Sequence, residues 1–246
     1  MDKEARSPGR DSEDHIRSLT YYGPRPTIAE NLPESLIMQL VASNKSTQTK
    51  YAREIPDLVW ATGPVSYDYH FADRALFDGL ILASWQLKGS LFAADATTLA
   101  TDEDRLVGIE IGMPGNEFRA RQKSLEPIWG DLLANGQVDA EGMAGVLERS
   151  GFASWLNPVI KATSYYIHAI SVKPEYRGKR AGYLLMENAI TSARDNGFSD
   201  IQLDLLSDNS AVGFYRAVGF EVLAETTAPK PAAFGIPPEY RMGMAL

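Results

Sequence analysis

The chain of 246 residues contains no cysteine and only three histidines. Without cysteine there is no disulfide, no thiolate metal site and no thiol nucleophile, which fits a cytoplasmic protein. The histidines, at positions 15, 70 and 168, are too scattered to form a metal-ligand pattern, so no metal is expected. No apolar run approaches the roughly 20 residues that cross a bilayer. The charged N-terminal stretch lacks the apolar segment of a signal peptide, and no membrane partner is expected. Basic residues are outnumbered 24 to 32, for a net charge of −8. Nucleic-acid phosphates need a basic face, so nucleic acid is not an expected partner. A diffuse negative field attracts cations such as amines only weakly. Apolar residues make up 44% of the chain, sufficient for a substantial core in one large domain or two small ones.

Residues 165–220 carry most of the functional information. A β-branched apolar run, 165–172, stops at Lys173-Pro174. A basic loop rich in small residues follows: Arg177, Gly178, Lys179, Arg180, Ala181, Gly182. Leu184, Leu185, Ala189, Ile190 and Ala193 then recur at helical spacing, and Asn196-Gly197 suits a helix end. A strand turning straight into a helix leaves the first helical N–H groups without partners. Those donors and the helix dipole attract anions, and glycine allows close approach. The spacing predicts a phosphate or pyrophosphate site. A second strand, 201–206, leads into a short helix ending near Gly219.

This stretch resembles the acetyl-CoA-binding core of the GNAT acyltransferase superfamily. Val172-Lys173-Pro174 followed by Arg177 to Gly182 matches the family fingerprint, except that Arg180 stands at its first glycine. An arginine there is expected to keep an ordinary right-handed backbone. Phe214-Tyr215-Arg216-Ala217-Val218-Gly219-Phe220 resembles the second signature, a Tyr shortly before Gly-Phe. The resemblance covers roughly 165–225 strongly. It implies an α/β (α+β) fold of the GNAT acyl-CoA N-acyltransferase type, with a mixed, mostly antiparallel central sheet flanked by helices.

The order of elements agrees with that plan. Residues 1–13 read as a disordered tail and 14–246 as a single domain. Residues 15–22 are a candidate first strand, 27–42 a helix, 43–69 a long connection, and 72–87 a second helix. Residues 91–100 and 105–112 read as a hairpin. The family then passes quickly to its central strand, whereas about 50 residues intervene here. They are read as a helical insertion at about 113–164, with helices at 118–133 and 140–148. It would serve as lid, acceptor wall, homodimer contact or simply an added structural layer. After Phe220 come a short strand, a Pro-rich loop at 226–238 and a last strand at 240–246.

Acyl transfer from a thioester to an amine needs proximity, a neutral amine and a proton for the departing sulfur. By resemblance, Tyr215 protonates that sulfur; otherwise it packs on cofactor or core. His168 is the candidate for proton relay, and strand alternation puts Tyr166, His168 and Ile170 on one face. Tyr166 stands where histone-type members carry a catalytic Glu. Glu110, in the run VGIEIG, is either a base acting through water or an exposed edge-strand carboxylate. The resemblance also implies that the strand ending at Val172 splays from its neighbour. Ile170, Ser171 and Val172 would then pair with the pantetheine through main-chain groups. Asn209 is a further candidate cofactor contact, one residue out of the family pattern, and Ser207 or Asp208 a candidate helix cap. The acceptor site is expected between 60–71, the insertion and 226–239, with Asp68 between Tyr67 and Tyr69 as an ammonium site. The resulting expectation is an N-acetyltransferase with acetyl-CoA as co-substrate and a small-molecule or peptide amine as acceptor. The competing reading is a non-catalytic CoA-binding or regulatory protein of the same fold. A P-loop is disfavoured because Gly-x4-Gly-Lys-Ser/Thr is absent.

Overall fold

The computed structural model describes residues 38–153 and 159–246. The chain runs β1 (Met38–Ala42), α1 (Lys45–Tyr51), α2 (Ile55–Trp60), α3 (Pro64–Phe71) and α4 (Arg74–Gln86), then the hairpin β2 (Thr97–Asp102) and β3 (Arg105–Pro114). Helices α5 (Phe118–Lys123), α6 (Glu126–Ala134) and α7 (Ala140–Ala153) lead to β4 (Ser164–Val172) and α8 (Ala181–Asp195). There follow β5 (Asp200–Leu206), α9 (Val212–Val218), β6 (Glu221–Thr226), α10 (Pro229–Ala233) and β7 (Glu239–Ala245). The strands form one seven-stranded sheet in the order β1-β2-β3-β4-β5-β7-β6. Among the described strands only β4 and β5 pair in parallel. The sheet is therefore mixed and mostly antiparallel, with helices on both faces. No helix among the described residues is long and apolar enough to cross a membrane.

Three local expectations change. Residues 38–42 are not the end of a helix but an edge strand, pairing Met38 with Asp102 and Ala42 with Thr98. The open edge of β2 outweighs a helical pattern that propensity alone supports. The rest of the expected 27–42 helix, the 15–22 strand and the 1–13 tail lie outside the described residues. Residues 43–69 are three short helices rather than a loop. Asn44 caps α1 reciprocally with Thr47, and prolines open α2 and α3 where a missing N–H costs nothing. Residues 91–96 are core but not strand: Leu91 and Phe92 are buried, and Phe92 N donates to Ser84 Oγ at 3.0 Å.

Alternation along the strands divides the core. On one face α8 and α9 bring Met186, Ala189, Ile190 and Tyr215 against Ile201, Leu203 and Met242. On the other, α2 and α4 set Ile55, Phe77, Ile81 and Trp85 against Leu99, Ile109 and Ile111. Each such fully buried side chain contributes about 1.5–3 kcal/mol. Trp85 Nε1 donates to Gln48 O and Gln48 Nε2 to Trp85 O, both at 2.8 Å, tying α1 to α4. The helices expected between β3 and β4 are present. Ile128, Leu132 and Val146 of α6 and α7 pack on Leu76 and Leu80 of α4, adding a layer outside the second face.

Candidate active site

The sheet opens between β4 and β5. Parallel pairing runs from Ser164–Asp200 to Ile167–Leu203 and stops there, although β4 continues to Val172 and β5 to Leu206. The cause lies on the other side of β4. Against β3, Ile111 faces Ala169 and Gly112 faces Ile167, so His168 is an extra, bulged residue. A bulge bends its strand and increases the local twist. It also corrects the expected alternation. The His168 ring meets Phe92 and Phe118 on the α2/α4 face, and Ala169 packs there too. Ile170 instead packs with the α8-side clusters.

A cleft of about 1360 Å³ fills this gap, lined by Ile170, Ser171 and Val172 from β4 and by residues 203–206 of β5. Asp204 shows the geometry in miniature: its side chain is 3% exposed while the residue as a whole is half-buried, so its exposure lies in the main chain.

At one end of the cleft α8 begins. Gly178 has φ +74° and Arg180 has φ +69°, both left-handed. The expectation of a right-handed Arg180 is thus wrong. The loop geometry demands a positive φ at the helix entrance, and this chain meets it with a residue that carries a Cβ. Arg180 offers α8 no side-chain cap, so the first helical N–H groups are not taken by it. Arg177, Gly178, Arg180, Ala181 and Gly182 line the cleft; Lys179 does not, and its Nζ lies 5.4 Å from the Tyr176 ring centroid. Arg177 Nε donates to Val172 O at 3.1 Å. Asn209 lines the cleft as well, with Oδ1 accepting from Ala211 N at 2.9 Å just before α9. It, rather than Ser207 or Asp208, makes the side-chain contact at that helix start.

Deeper in, ionisable groups gather in the gap, Tyr215 from the α8/α9 side and the others from the α2/α4 side. Tyr215 is buried and lines the cleft, and burial pushes its phenol well above the usual range. His168 also lines it; burial lowers its pKa from 6.5 to about 4, and Nε2 has no hydrogen-bond partner. Tyr166 Oη donates to Asp204 Oδ2 at 3.0 Å. Arg241 grips the same carboxylate through Nε and, at 2.7 Å, through Nη2, and reaches Gln202 Oε1 at 3.2 Å. Glu239, one turn of the pleat from Arg241, lines the cleft with Oε2 buried and unpartnered. Asp204, Glu239 and Arg241 were not among the residues singled out from sequence. The available signal was a charged residue at an inward position of two otherwise apolar strands.

The far half of the cleft is built by Tyr67, His70 and Phe71 of α3, Phe118 of α5, Trp129 of α6 and Leu147 of α7. Of the segments expected around an acceptor, 60–71 and the added helices line the cleft, while from 226–239 only Glu239 does. Asp68 is exposed and does not line the cleft, since it sits on the outer side of α3 from Tyr67. Glu110 is not an exposed edge carboxylate. It is 1% exposed on the central strand β3, accepts from Tyr165 Oη at 3.2 Å, and is pushed up to about 7 by burial. It does not line the cleft.

Residues 118–220 match the model of the acetyltransferase (GNAT) family. A thialysine N-epsilon-acetyltransferase from Bos taurus is 36% identical over 96 residues, 38% of this chain and 54% of that protein. An uncharacterized N-acetyltransferase from Methanocaldococcus jannaschii is 33% identical over 69 residues, 28% of this chain and 30% of that protein. The chain thus spans about half or less of the length of these curated relatives. Among solved structures, an N-acetyltransferase from Staphylococcus aureus Mu50 shares the fold, with a TM-score of 0.59 at 16% identity over 84% of this chain and 100% of that one. The family match runs from α5 past the end of α9 and so takes in the strand separation, the loop before α8 and Tyr215; over residues 118–220 the chain is similar to the acetyltransferase (GNAT) family.

Proposed function

We propose that the protein transfers an acetyl group from acetyl-CoA to a primary amine. The observation that carries this is the separation of β4 from β5 directly beside the uncapped start of α8. The residues fit such a co-substrate. N–H groups at the start of α8, with Arg177 and Arg180, suit a pyrophosphate. The free edge of Ile170, Ser171 and Val172 suits the amides of a pantetheine arm, and Asn209 stands at the opposite lip. Acetyl-CoA supplies the activated acetyl group. The chain holds donor and acceptor together, which is the largest part of such catalysis. Tyr215 keeps its proton across the neutral range and donates it to the departing sulfur. His168, neutral above about pH 4, lends a ring nitrogen to the proton path but is too weak a base to hold the proton. Attack is direct, since no cysteine exists to carry the acetyl group. Residues 113–164 act as an insertion that walls the acceptor half. The thialysine N-epsilon-acetyltransferase among the relatives supports an amine as acceptor.

Calorimetry with acetyl-CoA, followed by thiol release across an amine panel, tests the reading. Binding weakened by Arg177→Ala and Arg180→Ala, with release that depends on Tyr215, is expected. No binding of any acyl-CoA overturns it. Tight binding without release from any amine favours a CoA-binding regulatory protein instead.

A further inference from the structure

Among the described residues, the buried side-chain polar atoms without a hydrogen-bond partner are His168 Nε2 and Glu239 Oε2, and both residues line the same cleft. A buried carboxylate oxygen left without a donor is costly. Glu239 opens β7 opposite Leu206, the last residue of β5, so it stands where the sheet has parted. Arg241 shares its face of β7, but that guanidinium grips Asp204 and Gln202. The titratable and charged groups that act on Glu239 are Tyr166 from β4, Asp204 from β5 and Arg241 on its own strand. Burial first, and then the Asp204 carboxylate, push the Glu239 acid up to about 8 against the pull of Arg241. A carboxyl held there exchanges a proton with an ammonium far more readily than an ordinary carboxylate does.

The rest of the cleft says what carries that ammonium. Phe118 meets Tyr166 edge-on at 5.2 Å, and Phe71 stacks on Trp129 at 6.2 Å, with Leu80 and Leu125 beside them. Among the described residues, the one lining carboxylate besides Asp204 and Glu239 is Glu126, which is exposed and has the cations Arg119 and Lys123 as fellow lining residues. Among the described residues, a second ammonium has no buried carboxylate partner in this half.

We propose that Glu239 receives the ammonium of the acceptor and takes its proton, and that the acceptor is a primary amine on an apolar or aromatic body without a second cation. This rests on the acetyl-transfer reading above. The ammonium gives one proton to the Glu239 carboxylate, which later passes it to water. The freed lone pair forms the N–C bond as the C–S bond breaks. Sulfur leaves with that electron pair and takes the Tyr215 proton, and the second proton lost by nitrogen restores Tyr215.

The test compares the full chain with Glu239→Gln and Glu239→Asp. Calorimetry with acetyl-CoA should give the same affinity for all three; failure of the unaltered protein to bind it sinks the parent reading, not this one. Thiol release is measured with phenethylamine and with agmatine from pH 6 to 9. Phenethylamine should exceed agmatine at least about 10-fold in kcat/KM. Glu239→Gln should lower kcat by about 10²–10⁴-fold and remove the pH limb near 8, with partial rescue by Glu239→Asp. Release by Glu239→Gln at the unaltered rate, or agmatine as the better acceptor, overturns the proposal. Should neither amine turn over, phenethylammonium chloride is compared with sodium chloride of equal ionic strength in thermal unfolding. A midpoint raised in the unaltered protein and not in Glu239→Gln supports the ammonium seat; no rise in the unaltered protein overturns it.

Discussion

Burial acts in opposite directions on the two groups first singled out for proton transfer. It holds Tyr215 as a neutral O–H at any working pH, and it holds His168 as a neutral ring. A hydroxyl that donates in the transition state contributes typically 10²–10⁴-fold. Tyr215→Phe should therefore lower kcat of thiol release by about that factor while acetyl-CoA affinity, read by calorimetry, changes less than about threefold. Equal losses in binding and turnover would mean that Tyr215 only packs. Arg180 is a different kind of residue, since its backbone as well as its charge matters. Left-handed backbone costs a residue with a Cβ about 1–2 kcal/mol. Arg180→Gly should raise stability by about 1 kcal/mol in urea titration, yet weaken acetyl-CoA binding several-fold through the lost cation. A variant that binds acetyl-CoA as tightly as before would remove Arg180 from the pyrophosphate site.

Strands β3 and β4 form the rigid wall against which the gap opens. Gly108 pairs with Val172 at the base of that wall, and a Cβ there would come within 2.5 Å of Ser171 O and 3.3 Å of Leu185 Cδ1. The first contact is backbone, so the strand itself must move. Gly108→Ala should cost about 1–3 kcal/mol by urea midpoint and weaken acetyl-CoA binding, because Ser171 lies on the lip of the cleft. A neutral substitution would show that β4 shifts freely, contrary to a wall held by paired strands on its β3 side. The helices α5 to α7 play the complementary part: they close the far half of the cleft with Phe118, Trp129 and Leu147.

Across the whole molecule, buried titratable groups make stability depend on pH. Glu110 and Glu239 have folded pKa values of about 7 and about 8 against the usual 4.5. A raised carboxyl pKa favours the fold while the group is protonated, so stability is lost as pH rises from 4.5 to those values. His70 and His168, lowered from 6.5 to about 4, have the reverse sign: their contribution is lost as pH falls from 6.5 toward 4. The two effects oppose one another between 4.5 and 6.5. From 6.5 to 8 only the carboxyls of these four groups act, so the urea midpoint should fall over that interval. Glu110→Gln and Glu239→Gln should each flatten the fall. A slope unchanged in both variants would mean that neither carboxyl is held protonated by the fold.

The apolar runs, the basic loop with its glycines and the Tyr before Gly-Phe are local patterns, and they were enough to place β4, α8, β5 and α9 and the loop before α8. Periodicity also located the helices between β3 and β4. The 38–42 edge strand was missed because only the unpaired edge of β2, far along the chain, makes a strand there. The bulge at His168 was missed because it is a mismatch between two strands and has no signature in either one. That mismatch turns Ile170 toward α8, parts β4 from β5 and brings Tyr166 and His168 onto one face with Asp204 and Glu239. Asp204 lies 38 positions from its partner Tyr166 and Glu239 is further along the chain on β7, and burial by distant elements, not residue type, sets their protonation. Local pattern was sufficient for the half of the cleft built by β4, α8, β5 and α9; the other half exists only once β7 and the helices α3 and α5 to α7 are packed around it.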